Sequence, residues 1–125
     1  MNTTVSYTEY SKEFRTSCNT GWGCGYVTIP KGHPILIRRL IESNYLYVTG
    51  FSYEITYCQN DEEGNLVIGF DTAHSWNNIT NSDEQYVIKT TLELKALIDA
   101  YTFDDAKKEA QEYLANQYAM LADYL

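Results

Sequence analysis

The feature that most constrains this chain is a pair of apolar runs joined by a polar turn. From Phe51 to Cys58 the side chains alternate, with Phe51, Tyr53, Ile55 and Tyr57 on one side and Ser52, Glu54, Thr56 and Cys58 on the other. Asn60-Asp61-Glu62-Glu63-Gly64-Asn65 is made of turn formers, and Leu66-Val67-Ile68-Gly69-Phe70 reads as a returning strand. The pattern predicts an antiparallel hairpin. A clean buried face selects its register: Tyr57 opposite Ile68 and Ile55 opposite Phe70, which sets Thr56 opposite Gly69 and Glu54 opposite Asp71. Two carboxylates facing each other at about 5 Å are destabilising unless something compensates. His74, three residues past Asp71, is the candidate counter-charge; a bound cation is the alternative. Glu54, Asp71 and His74 are therefore expected in one cluster near Trp22 or Trp76, where a strand gives way to a loop. In the plainer reading Asp71 caps a turn, His74 is a surface residue and Trp76 fills a gap.

The rest of the chain can be arranged around this hairpin. Residues 1–20 are polar and suit an edge strand or a loosely held arm. Gly21, Gly23 and Gly25 lie within five positions, a density that permits positive φ or close backbone approach. No Gly-Lys-Ser/Thr follows, so this is not a phosphate loop. Trp22 among them reads as a core anchor or as a lid over a ligand. Tyr26-Val27-Thr28-Ile29 reads as a strand halted by Pro30. His33 is a modest cap before Pro34, and Leu36, Ile37, Leu40 and Ile41 follow helical spacing up to Ser43-Asn44, with Arg38 and Arg39 on the other side. Tyr86-Val87-Ile88 reads as a short strand. Thr90-Thr91-Leu92-Glu93 reads as a capping box that starts a helix with Leu94, Leu97, Ile98 and Tyr101 on its core face. Thr102, followed by Asp104 and Asp105, caps a last helix with a broad stripe of Ala106, Ala110, Tyr113, Leu114, Leu121 and Tyr124, flanked by Tyr118 and Met120. That stripe packs on the sheet or pairs with its twin in a homodimer. The expected fold is α+β, one domain over 1–125: a small antiparallel sheet with strands near 24–29, 46–58, 65–72 and 86–89, covered by C-terminal helices.

A chain of 125 residues can bury a core without staples. No apolar run approaches the ~20 residues of a membrane span, and the N-terminus lacks the regions of a signal peptide, so the expected location is the cytoplasm, with no membrane partner. The formal charge of −8 opposes direct nucleic-acid binding. Acidity together with 12 tyrosines suits docking on a basic protein surface. The 3 cysteines are an odd count and are expected to be free thiols. Cys18, Cys24, Cys58 and His74 could supply four zinc ligands, but their spacing fits no standard zinc motif.

The blocks CGYVTIPKGHP, ITYC and IGFDTAH, in that order, resemble a family of small proteins encoded by bacteriophages and prophages. The resemblance spans roughly residues 24–98. The middle block of that family usually carries His-Gly-Gly before Ile/Leu-Thr-Tyr; here Ser52-Tyr53-Glu54 stand there. The resemblance implies a phage accessory gene and no particular activity. Three functions follow as expectations. The first is inhibition, by protein binding, of a bacterial anti-phage defence protein such as a basic nucleic-acid-binding effector, in the manner of an anti-CRISPR protein. The second is a sponge for a nucleotide signal, with Trp22 and Trp76 stacking a base and Lys31 or Arg38 holding phosphate. The third is a small hydrolase built on Cys24, Glu54, Asp71 and His74, with a metal or a Cys–His pair. The residues assigned to ligand or partner binding are Trp22, Cys24, His33, Glu54, Asp71, His74 and Trp76. No catalytic residue, metal ligand or cofactor is assigned.

Overall fold

A computed structural model describes residues 2–42 and 46–124. Strand β1 (Thr4–Glu9) leads through helix α1 (Lys12–Cys18) to β2 (Gly23–Ile29). A 3-10 turn (Pro34–Leu36) runs into α2 (Ile37–Glu42). Then come β3 (Tyr57–Asn60), β4 (Leu66–Asp71), α3 (Glu84–Asp99) and α4 (Phe103–Ala122). The four strands form one sheet in the order β1-β2-β4-β3, and every neighbouring pair is antiparallel. The fold is α+β, with α3 laid across β1 and β2. Val27, Ile29, Leu66, Ile68, Leu94 and Ile98 are fully or almost fully buried between sheet and helix, joined by Ile35, Leu46, Val48 and Ile55.

The close-set glycines serve close approach. A Cβ on Gly25 would lie 1.9 Å from the Thr91 hydroxyl oxygen of α3, and one on Gly23 would lie 1.9 Å from the Thr8 carbonyl oxygen of β1. Bare backbone on β2 is thus what lets its neighbours come so near. Residues 1–20 supply the edge strand β1 and, beyond expectation, α1, which is capped by Ser11 accepting from the Phe14 amide.

Several expectations are corrected. Residues 86–89 are not a strand but the first turns of α3. Asp83 caps that helix by accepting from the Tyr86 amide, and Val87, Thr90, Thr91, Leu94 and Ile98 make one buried face at helical spacing. The cap and the burial override the β-propensity of Tyr86-Val87-Ile88. Thr90 is therefore inside the helix rather than at its start, and Thr91 donates to the Val87 carbonyl. The strand expected over 46–58 shrinks to β3. The hairpin register is also shifted by one: Tyr57 stands opposite Gly69 and Cys58 opposite Ile68. The Thr56 amide donates to the Gly69 carbonyl at 2.9 Å, so Thr56 and Tyr57 both face Gly69, as in a β-bulge. The extra residue puts Tyr57 on the outer face, against Tyr26 at 5.4 Å between ring centroids, and turns Cys58 toward the core. Phe51 and Ile55 still pack inward, and Phe51 meets Phe70 edge-on, but they do so from irregular chain. The expected helix end at Ser43-Asn44 lies outside the described residues.

Helix α4 starts as the sequence indicates. Thr102 and Asp105 form a reciprocal capping box. Its first turns pack on α2 and the 3-10 turn rather than on the sheet, and Ala106 is its one buried residue. No helix among the described residues is long and apolar enough to cross a membrane.

Candidate functional site

The outer face of the sheet gathers the polar and aromatic residues that the core excludes. Alternation along β2 sends Cys24, Tyr26 and Thr28 to this side, and β4 adds Val67, Gly69 and Asp71. Cys24 is the direct cross-strand neighbour of Asp71. The Cys24 thiol donates to the Tyr10 hydroxyl at 3.3 Å. Burial, and then the neighbouring Cys24, raises Tyr10 well above the ordinary tyrosine range, and the same causes push Tyr26 up to about 12. Both phenols are therefore neutral at physiological pH. Tyr26 lies over Gly69, where a Cβ would meet its ring at 2.4 Å.

Asp71 ends β4 and organises the turn that follows. One carboxylate oxygen accepts from the Ala73 amide at 3.0 Å and the other from the Thr56 hydroxyl at 2.7 Å. His74 Nε2 lies 3.5 Å from Asp71 and is buried without a hydrogen-bond partner. Trp76 stacks face to face on the His74 ring, 4.4 Å between centroids and 5° between planes. Tyr53 approaches His74 from another side at 5.9 Å. Asn77 holds the turn together. It accepts from the His74 amide, exchanges hydrogen bonds with the Tyr53 hydroxyl, and donates to Ser82. Trp76 is thus 60% exposed yet mounted on a fixed base.

The expected cluster is therefore half present. Asp71, His74 and Trp76 come together, and Cys24 adjoins them through Asp71. Glu54 does not join. It is exposed, and the bulge puts Thr56 on Asp71 where Glu54 was expected. Trp22 is half-buried at the seam where Tyr10 donates to its carbonyl and its own amide donates to Ser82. His33 is buried away from this face; its Nδ1 accepts from the Ile35 amide, as the cap of the 3-10 turn. Cys18 lies on α1, Cys24 on the outer face and Cys58 toward the core, and all three are free thiols. Among the described residues no three His, Cys, Asp or Glu side chains are placed to hold a metal ion. Sequence reading missed Tyr10, Tyr53 and Asn77. The alternation of β2 could have placed Tyr26 beside Cys24; nothing local marks Asn77.

Comparison with protein-family models, with curated proteins and with solved structures gives no match. The site must therefore be read from its chemistry. The cysteine hydrogen-bonds to a phenol rather than to a histidine base. The carboxylate is occupied by an amide and a hydroxyl. What it presents to solvent is a rigid aromatic surface with an acidic neighbour.

Proposed function

We propose that this chain is a phage or prophage accessory protein that works by binding, inhibiting a bacterial anti-phage defence protein through the surface centred on Trp76. The observation that carries the reading is the His74–Trp76 stack. An exposed indole that is already immobilised loses little entropy on docking, and tryptophan anchors of this kind concentrate binding energy at protein interfaces. The net charge of −8 favours a basic partner and speeds its encounter. The phage origin rests on the sequence blocks.

The nucleotide-sponge reading has less support. Arg38, one of its two phosphate-holding cations, is committed to Glu109, the Tyr47 carbonyl and the Thr49 hydroxyl. One face of Trp76 is already covered by His74. The hydrolase reading lacks a nucleophile–base hydrogen bond among the described residues.

The test is a plating assay on bacteria that each carry one defined defence system, expressing wild type or Trp76→Ala. Wild type should restore phage plating against at least one system, and Trp76→Ala should lose at least about tenfold of that effect while keeping its circular dichroism spectrum. No restoration against any system would overturn the proposal. Equal restoration by Trp76→Ala would move the binding surface elsewhere.

A further inference from the structure

Helix α4 has 20 residues, and only its beginning is packed. Every residue from Gln111 to Tyr124 is exposed. The exposure is not that of a polar surface helix. Leu114 and Leu121 are each 65% exposed, Tyr118 78% and Tyr124 86%, with Met120 and Tyr113 beside them. Ala110, Tyr113, Gln117, Leu121 and Tyr124 follow one another at steps of three, four, four and three, on one face of the helix and in line with Ala106, as in a helix-pairing seam. The same stripe already meets helical structure where Ala106 is buried against α2 and the 3-10 turn.

We infer that this face is covered by α4 of a second copy of the chain, packed antiparallel with Gln117 near the two-fold axis. Charge selects the occupant. Beyond Glu112 the helix carries one charged side chain, Asp123, so two copies of a chain of net charge −8 can meet here without carboxylates facing each other. Charge and dipole also select the direction. A parallel pair would align the two helix dipoles and bring together the bodies of two chains that each carry a net charge of −8. An antiparallel pair puts the sheets at opposite ends and opposes the helix dipoles. With Gln117 facing Gln117, Ala110 lies opposite Tyr124, where a methyl leaves room for a ring, and Tyr113 lies opposite Leu121. A lone polar residue in such a seam fixes register. Tyr113, Leu114, Met120, Leu121 and Tyr124, on or beside this face, offer on the order of 500 Å² per copy, about the 1,000 Å² in total that a specific interface needs. The inference does not rest on the Trp76 reading.

The test is sedimentation of the purified full-length chain up to about 100 µM, with circular dichroism to confirm folding. Wild type should sediment as a dimer of the 14.4 kDa chain. Leu121→Glu should weaken dimerisation by roughly 100-fold or more, because it buries a carboxylate in the seam. Combining Tyr113→Lys with Leu121→Glu should restore much of it, since each lysine then faces a glutamate of the other copy in an antiparallel pair only. A wild-type monomer throughout, or a dimer indifferent to Leu121→Glu, would overturn the inference. Failure of the double variant to recover would overturn the antiparallel register. Trp76→Ala should remain a dimer, and its loss of dimerisation would place the contact on the sheet side instead.

Discussion

The guanidinium of Arg38 is buried between two tyrosine rings, 4.4 Å from the Tyr47 centroid and 4.8 Å from that of Tyr101. It makes a forked pair with Glu109 at 2.6 and 2.9 Å, which ties α4 to α2. Glu109→Ala leaves that buried charge without its carboxylate and should cost about 2–4 kcal/mol in urea unfolding. The Arg38 hydrogen bond holds the Glu109 carboxyl below its ordinary value of 4.5. A depressed carboxyl contributes stability above its unfolded pKa and loses it as pH falls through the folded one. Acid unfolding below about pH 4.5 should therefore be less steep in Glu109→Gln than in wild type. His33 has the same sign. Burial holds its imidazole below 6.5, with Asp99 opposing. Its stability contribution is present above 6.5 and lost as pH falls through the folded value. His33→Asn keeps an acceptor for the Ile35 amide and removes the titration. Unfolding free energies at about pH 7 and pH 5 should then differ less than in wild type. Pro34 marks His33 as a cap in the sequence, whereas nothing near Arg38 marks it as buried. Helical spacing places Arg38 on the solvent side, and only the distant Glu109 and the two tyrosines make an inward guanidinium favourable.

At the scale of elements, the contact between β2 and α3 leaves the least room for change. A methyl at Gly25 meets Thr91 at 1.9 Å and the Phe70 ring at 2.9 Å. Gly25→Ala should destabilise by about 1–3 kcal/mol, and pairing it with Thr91→Ala should recover part of the loss; thermal unfolding of both variants checks this. The glycine run was legible as a request for close approach, but not which helix would approach. The α4 cap was legible because Thr102 and Asp105 are three residues apart and need nothing else. The start of α3 is misplaced in the sequence because Thr90-Thr91-Leu92-Glu93 matches a capping box while Tyr86-Val87-Ile88 has strand propensity. Asp83 wins because a helix begun there buries Val87 and Thr90 on the face it already needs for Leu94 and Ile98.

Across the whole molecule, one sheet separates an apolar inner side from a polar, aromatic outer side, and the three cysteines are distributed accordingly. Cys18 is exposed, while Cys24 and Cys58 are half-buried on opposite faces. A thiol reagent without denaturant should modify Cys18 first, and denaturation without reductant should reveal three free thiols. Mass spectrometry of the modified chain reads both, and a lower count would show a disulfide.

Near neighbours in the chain suffice for the β2 and β4 segments, the hairpin turn, the α4 cap, the core face from Leu94 to Tyr101, and the meeting of Asp71, His74 and Trp76 at a strand end. Tertiary structure decided what depends on distant chain. The bulge at Thr56 and Tyr57 shifted the register by one residue, and with period-two alternation that exchanges faces. Tyr57 therefore went out, Cys58 went in, and Thr56 rather than Glu54 reached Asp71.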